Sequence, residues 1–231
     1  MKTADEFSAG KVLLIDKPLE WSSFQVVNKI RWVIRKRFNI KKIKVGHAGT
    51  LDPLATGLLV ICTGKETKNI ASYQGLEKVY SGIITLGSTT PSYDLETEIN
   101  ASFDTSHLND ELIKEAANQF IGEIEQYPPI FSAIKKDGKR LYEFARSGEN
   151  VEVSPRKINI SSFIITKIDN KDIHFLVTCS KGTYIRSLAN DFGKALNCGG
   201  HLSKLRREKI GHFDVQDALS IDDFVSTITS E

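Results

Sequence analysis

Residues 11–16, KVLLID, form an apolar run rich in branched side chains that stops at the turn signal DKP, which predicts a buried strand. The next stretch, WSSFQVVNKIRWVIRKRF, changes period. Val26, Val27, Ile30, Val33 and Ile34 fall on one stripe, and Ser22 with Gln25 three residues on makes a capping box, so the spacing predicts a helix. GLLVICTG (57–64) predicts a second buried strand and KVYSGIITLG (78–87) a third. Residues 106–120, opening on SHLND, have the pattern of an amphipathic helix. QYPPIFSAIKKDGKRLYEFARSG (126–148) starts on a double proline and turns at KKDGKR, which predicts a protruding element ending in a short helix. VEVSPRKINISSFIITKI and KDIHFLVTCS read as an antiparallel pair joined at DNKD. KGTYIRSLANDFGKALN returns to helical period, and a closing helix is expected at 217–229. Strands and helices mix without a βαβ repeat, so the expected fold class is α+β: a mixed, largely antiparallel central sheet with flanking helices. With no internal repeat and no low-complexity linker, residues 1–231 read as a single catalytic domain with an arm inserted at about 126–150.

Composition narrows the class. Of 231 residues, 40% are hydrophobic and 26% charged, the balance of a globular protein rather than a fibrous or membrane one. The first ten residues, MKTADEFSAG, lack the apolar core of a secretory signal, so a cytoplasmic protein with no membrane partner is expected. Cys62, Cys179 and Cys198 are widely spaced, which argues against a disulfide framework. The net charge is only +2, but the bases cluster: Arg31 to Lys44 holds seven without an acid, and further runs lie around Lys135, Lys139 and Arg146 and around Lys204 to Lys209. One such run usually makes a solvated surface. Three with interleaved aromatics weaken that reading.

Several motifs are excluded. GKET at 64–67 lacks the glycine and hydroxyl residue a P-loop requires, since Leu59 and Glu66 stand there. No GxSxG is present, and Cys198 with His201 makes only half of a metal site. The stretch GHAGTLDPLATGLL (46–59) remains. Asp-Pro alone signals a turn. Here Gly46, Gly49 and Gly57 permit close approach, and His47 offers an aromatic platform five residues before Asp52. A carboxylate on a rigid loop beside a stacking ring suits a nucleophile or acid/base group for a ribonucleotide. Taken alone, Tyr80 reads as a sheet tyrosine and Arg186 as a surface arginine or ion pair.

Together and in this order, these segments resemble the TruB family, the bacterial tRNA pseudouridine-55 synthases. GHAGTLDPLATGLL is similar to that family's signature around its catalytic aspartate, and KVYSGIITLG to the strand that follows. YPPIFSAIKKDGKRLYEFARSG resembles its RNA-gripping insertion, and KGTYIRSLANDFGKAL with GGHLSKLRREKIGHF its C-terminal catalytic half; the match runs from about Lys11 to Phe213. The resemblance implies the pseudouridine synthase fold and isomerisation of a uridine in the T-arm of tRNA, with base flipping and neither cofactor nor metal. It makes Asp52 the catalytic carboxylate, acting by attack at C1′ or by removal of a sugar proton, and Arg186 its ion-pair partner. Tyr80 would stack on the flipped uracil, Tyr184 and Leu205 would line the pocket, and His47 would fill the gap left in the RNA stack. Lys135, Lys139 and Arg146 on the arm, with Arg31, Arg35, Arg206 and Arg207, would neutralise phosphates. The family's usual Thr-x-Thr-x-Asp stands here as Thr90-Pro91-Ser92-Tyr93-Asp94, and the length leaves no room for a C-terminal PUA domain. The implied partner is the tRNA T-arm stem-loop, bound by a monomer. An RNA-binding module without chemistry, or a relative acting on guided rRNA sites, would use the same basic surfaces.

Overall fold

The computed structural model describes residues 3–136, 138–149 and 151–229. Asp137 of the KKDGKR turn, Asn150 at the end of the arm and the terminal residues lie outside them. In chain order, helix α1 (Ala4–Ala9) leads to β1 (Val12–Lys17), α2 (Ser23–Phe38), β2 (Val45–His47) and β3 (Ala55–Thr63). A 3-10 turn and α3 (Ile70–Gly75) precede β4 (Lys78–Leu86), the small pair β5 (Ser88–Thr89) and β6 (Ala101–Ser102), α4 (Asp110–Asn118) and β7 (Gly122–Gln126). The arm carries the hairpin β8 (Lys135–Lys136) and β9 (Lys139–Arg140) and helix α5 (Leu141–Ser147). Then follow β10 (Arg156–Asp169), β11 (Asp172–Cys179), α6 (Ile185–Ala195), β12 (Gly200–Ile210), β13 (Phe213–Asp214) and α7 (Ile221–Thr229). No described helix is long and apolar enough to cross a membrane.

The chain folds as two compact units, Met1–Tyr80 with Leu205–Glu231, and Ser81–Lys204. In the first, β3 is the central strand. It pairs antiparallel with β1 from Val12↔Cys62 to Lys17↔Gly57, antiparallel with β2, and parallel with β12 from Leu205↔Ala55 to Arg207↔Gly57. Both of its faces are covered. Leu59 and Ile61 pack with Phe7, the α2 stripe and Phe224 of α7, whereas Leu58, Val60 and Cys62 pack with Ala48, Ile210 and Val215. A strand buried on both sides reads as an unbroken apolar run, which is why 57–64 showed no alternation. In α2 the capping box forms as the sequence predicts, with Gln25 N–H donating to Ser22 Oγ and Ser22 N–H to Gln25 Oε1 at 2.7 Å, and the expected stripe is buried.

In the second unit β4, β11, β10 and β7 lie in that order, with Phe163↔Val177 and Ile158↔Ile124 in antiparallel register. Phe163 makes edge contacts with Phe120, Phe175 and Phe192 at 5.5–6.4 Å, joining the sheet to α6. The sheet is mixed and mostly antiparallel, as expected.

Three readings are corrected. The helix expected from residue 106 starts at Asp110, because Asn109 Oδ1 accepts Leu112 N–H and caps it there. The closing helix starts at Ile221 rather than 217, after a 3-10 turn capped by Asp214. Residues 200–210, read only as a basic run, form a long strand; its charged residues hid the period because one of them, Arg207, is 1% exposed.

Gly57 sits where β3 meets both neighbours, with φ +103°, and a Cβ there would lie 2.3 Å from the Arg207 carbonyl oxygen. Gly57→Ala is expected to lose about 2–4 kcal/mol of stability, the combined cost of a forbidden φ and an overpacked backbone contact. A urea midpoint within error of the parent's would contradict this.

Candidate active site

Asp52 is held by what grips its neighbours. The Ser23 hydroxyl, at the start of α2, accepts Leu51 N–H at 2.8 Å and donates to Leu51 O at 3.1 Å. On the other side Pro53 O accepts Glu20 N–H at 2.8 Å and the Lys17 ammonium at 3.3 Å. Ala55 N–H closes the turn onto Asp52 O at 3.0 Å. Behind the loop, Arg207 reaches from β12 with Nε on Leu58 O at 2.8 Å, Nη2 on Gly49 O at 3.0 Å and Nη1 on Thr50 O at 3.5 Å. Three buried polar side chains from three elements therefore clamp peptides on both sides of one half-buried carboxylate. Such a cradle fixes direction, because each donor is itself locked by packing.

Lys17 was not foreseen as part of this site. It ends β1 fully buried, and its ammonium donates to Trp21 O at 2.6 Å and Pro18 O at 2.9 Å as well as to Pro53 O. Burial pushes its pKa from 10.5 down to about 8, against the pull of the Asp52 carboxylate, while the Arg207 cation adds to the fall. An unfolded chain keeps this proton to about pH 10.5, whereas the folded one releases it near 8, so between those values the unfolded state binds more protons and stability rises with pH. Unfolding free energies of the parent and Lys17→Met, compared from pH 8 to 10.5, should diverge in the parent's favour. A constant difference across that window would contradict the assignment.

The other expected residues fall in both units. His47 ends β2, its Nδ1 buried without a hydrogen-bond partner, and burial together with the Arg207 cation lowers its pKa, leaving a neutral ring at pH 7. Leu205 stands across from Ala55, three residues beyond Asp52. Tyr80 is buried on β4. These three share the first unit with Asp52; Arg186, Tyr184 and the arm residues belong to the second.

In the second unit Arg186 lies in the first turn of α6, 4% exposed, with Nη1 donating to Phe131 O at 2.9 Å and Ser92 O at 3.3 Å. Its Nε is 3.6 Å from Asp94 Oδ2, and both side chains are buried. Asp94 therefore pairs with Arg186 although its loop departs from the family pattern. Ser92 helps hold it, donating from Oγ to Asp94 O at 3.1 Å, as Thr90 Oγ1 does at 2.6 Å. Tyr184 is positioned by Gln126, whose amide both accepts Tyr184 N–H at 2.8 Å and donates to Tyr184 O at 3.1 Å. On the arm Lys135 is exposed, Lys139 pairs with Glu149 at 2.8 Å and Arg146 with Glu96 at 3.1 Å.

One phosphate assignment is corrected: Arg207 is consumed by backbone carbonyls inside the first unit. Arg206, half-buried, forms a two-point pair with Asp16, Nη1 on Oδ1 at 3.0 Å and Nη2 on Oδ2 at 2.7 Å. Cys198 and His201, spaced like half of a metal site, are both buried; His201 Nδ1 lies 3.4 Å from Ser88 Oγ.

A chain in the crystal structure of a Cbf5-Nop10-Gar1 complex matches this one with a TM-score of 0.72 and 28% identity over 97% of the present chain, which spans 56% of that one. A chain in the structure of an H/ACA RNP bound to a substrate RNA containing 2′-deoxyuridine matches with a TM-score of 0.69 and 25% identity, 97% and 55% of the two chains being covered. The chain thus spans little more than half the length of these solved relatives. The fold is that of the pseudouridine synthases. The family profile described as TruB family pseudouridylate synthase (N terminal domain) matches residues 35–185, and that of the tRNA pseudouridylate synthase B C-terminal domain matches 186–231. Proteins called tRNA pseudouridine synthase B are 60% identical in Flavobacterium johnsoniae, covering 98% of this chain and 99% of the relative, and 53% identical in Phocaeicola vulgatus, covering 94% and 93%. The chain belongs to the TruB family of pseudouridylate synthases.

Proposed function

We propose that this chain isomerises uridine 55 in the T-loop of tRNA to pseudouridine, as a cytoplasmic monomer that holds the T-arm stem-loop. The observation that carries the reading is the clamp on Leu51 and Pro53, which presents the Asp52 carboxylate from a backbone fixed on both sides. Family membership and the name shared by the closely similar relatives support it.

In this reading the target nucleotide is flipped out of the loop at a cost of a few kcal/mol. The neutral ring of His47 suits the stacked space it leaves, since an uncharged imidazole stacks between bases without desolvating a cation. Asp52 acts at the ribose, by attack on C1′ or by removing a sugar proton; the N1–C1′ bond breaks, the uracil turns, and a C5–C1′ bond forms. The C5 proton leaves to solvent while N1 regains one, so the change is an isomerisation that needs neither cofactor nor metal. By resemblance to the family, Arg186 is the expected ion-pair partner of Asp52. Tyr80 stacks on the uracil and is placed to assist loss of the C5 proton. By the same resemblance, Tyr184 and Leu205 are expected to contact the flipped nucleotide. Lys135, Lys139 and Arg146 meet phosphates, which makes binding fall with salt.

Incubation with total unmodified tRNA, followed by mapping of the modified nucleotide, tests the reading. Pseudouridine at position 55 is the expected product. Pseudouridine confined to another position or another RNA would move the substrate assignment, and tRNA bound but unchanged would leave an RNA-binding module.

A further inference from the structure

Arg156 opens β10, half-buried and outside the three basic runs of the sequence. Its neighbour Lys157 pairs with Glu123 at 3.1 Å, but among the described residues no carboxylate is paired with Arg156. Its guanidinium carbon lies instead over the Tyr184 ring, 5.4 Å from the centroid. Nη1 borders the turn at Gly182, where φ is +83° and an added Cβ would stand 3.7 Å from that nitrogen. The turn is anchored on β10: Ser180 N–H donates to Asn159 O at 2.8 Å, Asn159 N–H donates to Ser180 Oγ at 2.9 Å, and Thr183 Oγ1 donates to Ser180 O at 3.0 Å. Arg156 also stands directly across from Gln126 in the β7–β10 ladder, and Gln126 grips the Tyr184 peptide at both N–H and C=O. One member of a cross-strand pair therefore holds the tyrosine's main chain and the other lies against its ring, all within the second unit.

A cation over an aromatic face is held there by the ring's charge distribution without spending an N–H. The planar fork of an arginine so placed keeps its donors, and that fork matches two oxygens of one phosphodiester. We infer that Arg156 is a phosphate ligand of the substrate: resting on Tyr184 beside the Gly182 turn, it holds one of the two phosphates that flank the flipped uridine. The inference rests on the isomerase reading above, in which Tyr184 contacts the flipped nucleotide, and deepens it. Arg156 binds and positions; it moves no proton and forms no covalent bond.

The test is a cycle between protein and RNA, read as the dissociation constant of a T-arm transcript. Each flanking phosphate is replaced in turn by an uncharged methylphosphonate on a 2′-O-methyl nucleotide, with the same 2′-O-methyl RNA bearing an ordinary phosphate as control. Arg156→Gln should weaken binding of the control about tenfold, the loss expected of one charge-assisted two-point contact. It should also make the dependence of log affinity on log salt shallower by about one unit. Neutralising the contacted phosphate should weaken the parent by a similar factor, and Arg156→Gln should lose little more on that RNA, because the two changes remove one interaction. Additive losses at both positions, or an unaltered salt slope, would overturn the inference and leave Arg156 a support for the Tyr184 ring alone. The RNA half of the cycle needs no variant, so it decides even where Arg156→Gln unfolds: a parent indifferent to both methylphosphonates has no such contact. A parent that binds the transcript but forms no pseudouridine would end the isomerase reading while the cycle still reported on the phosphate.

Discussion

Asp52→Asn is expected to slow tritium release from a C5-labelled T-arm transcript by at least about 10³-fold, the loss typical when a nucleophile or essential proton-transfer group is removed. The substitution is nearly isosteric, and Leu51, Pro53 and the Asp52 backbone supply hydrogen bonds that hold the loop. Folding and RNA affinity should therefore survive, and the loss should appear in the turnover rate with the binding constant little changed. The amide cannot attack C1′ as an anion or take a sugar proton, so either route stops. Release by Asp52→Asn as fast as by the parent would remove the carboxylate from the chemistry.

Arg207→Met should have the largest effect on stability. Its guanidinium satisfies three backbone carbonyls, those of Gly49, Thr50 and Leu58, from a position 1% exposed. Methionine fills similar volume but leaves those oxygens without their donors, and removing a buried charged partner costs about 3–5 kcal/mol. Urea unfolding measures this; a loss below about 1 kcal/mol would show that water replaces the guanidinium easily. The salt dependence of RNA binding by the folded fraction should keep its slope, because a phosphate ligand contributes about one unit to that slope and Arg207 contributes none. A shallower slope in the variant would return Arg207 to the RNA-facing surface.

The elements that were legible in the chain are those whose partners are close in sequence or uniformly apolar. The α2 helix carries its own cap in Ser22 and Gln25 and its own stripe, and β1 and β3 are apolar throughout. Strand β12 was not legible, because LSKLRREKI presents charges at positions that normally face water. Arg207 escapes that expectation only because carbonyls some 150 residues earlier accept from it. Lys17 escaped for the same reason: a lysine before a proline reads as the polar end of a strand, and nothing local announces that its ammonium closes on Pro18, Trp21 and Pro53. Asp94 could have been flagged as the surviving acid of an altered loop motif, but its bond to Glu96 N–H and its approach to Arg186 have no trace in spacing.

The amino-acid order alone determined the α+β class, the helix and strand periods, the loop that carries Asp52 and the family it resembles, since each depends on local propensity or on a contiguous motif. Tertiary structure alone decided which charged side chains lie inside the protein: Lys17 and Arg207 are buried donors to backbone carbonyls and Arg186 is buried beside Asp94, while Lys135 and its neighbours on the arm keep their place at the surface. The physical reason is that a buried charge is tolerated only where distant backbone and carboxylate groups converge on it, and convergence is a property of folding rather than of spacing along the chain.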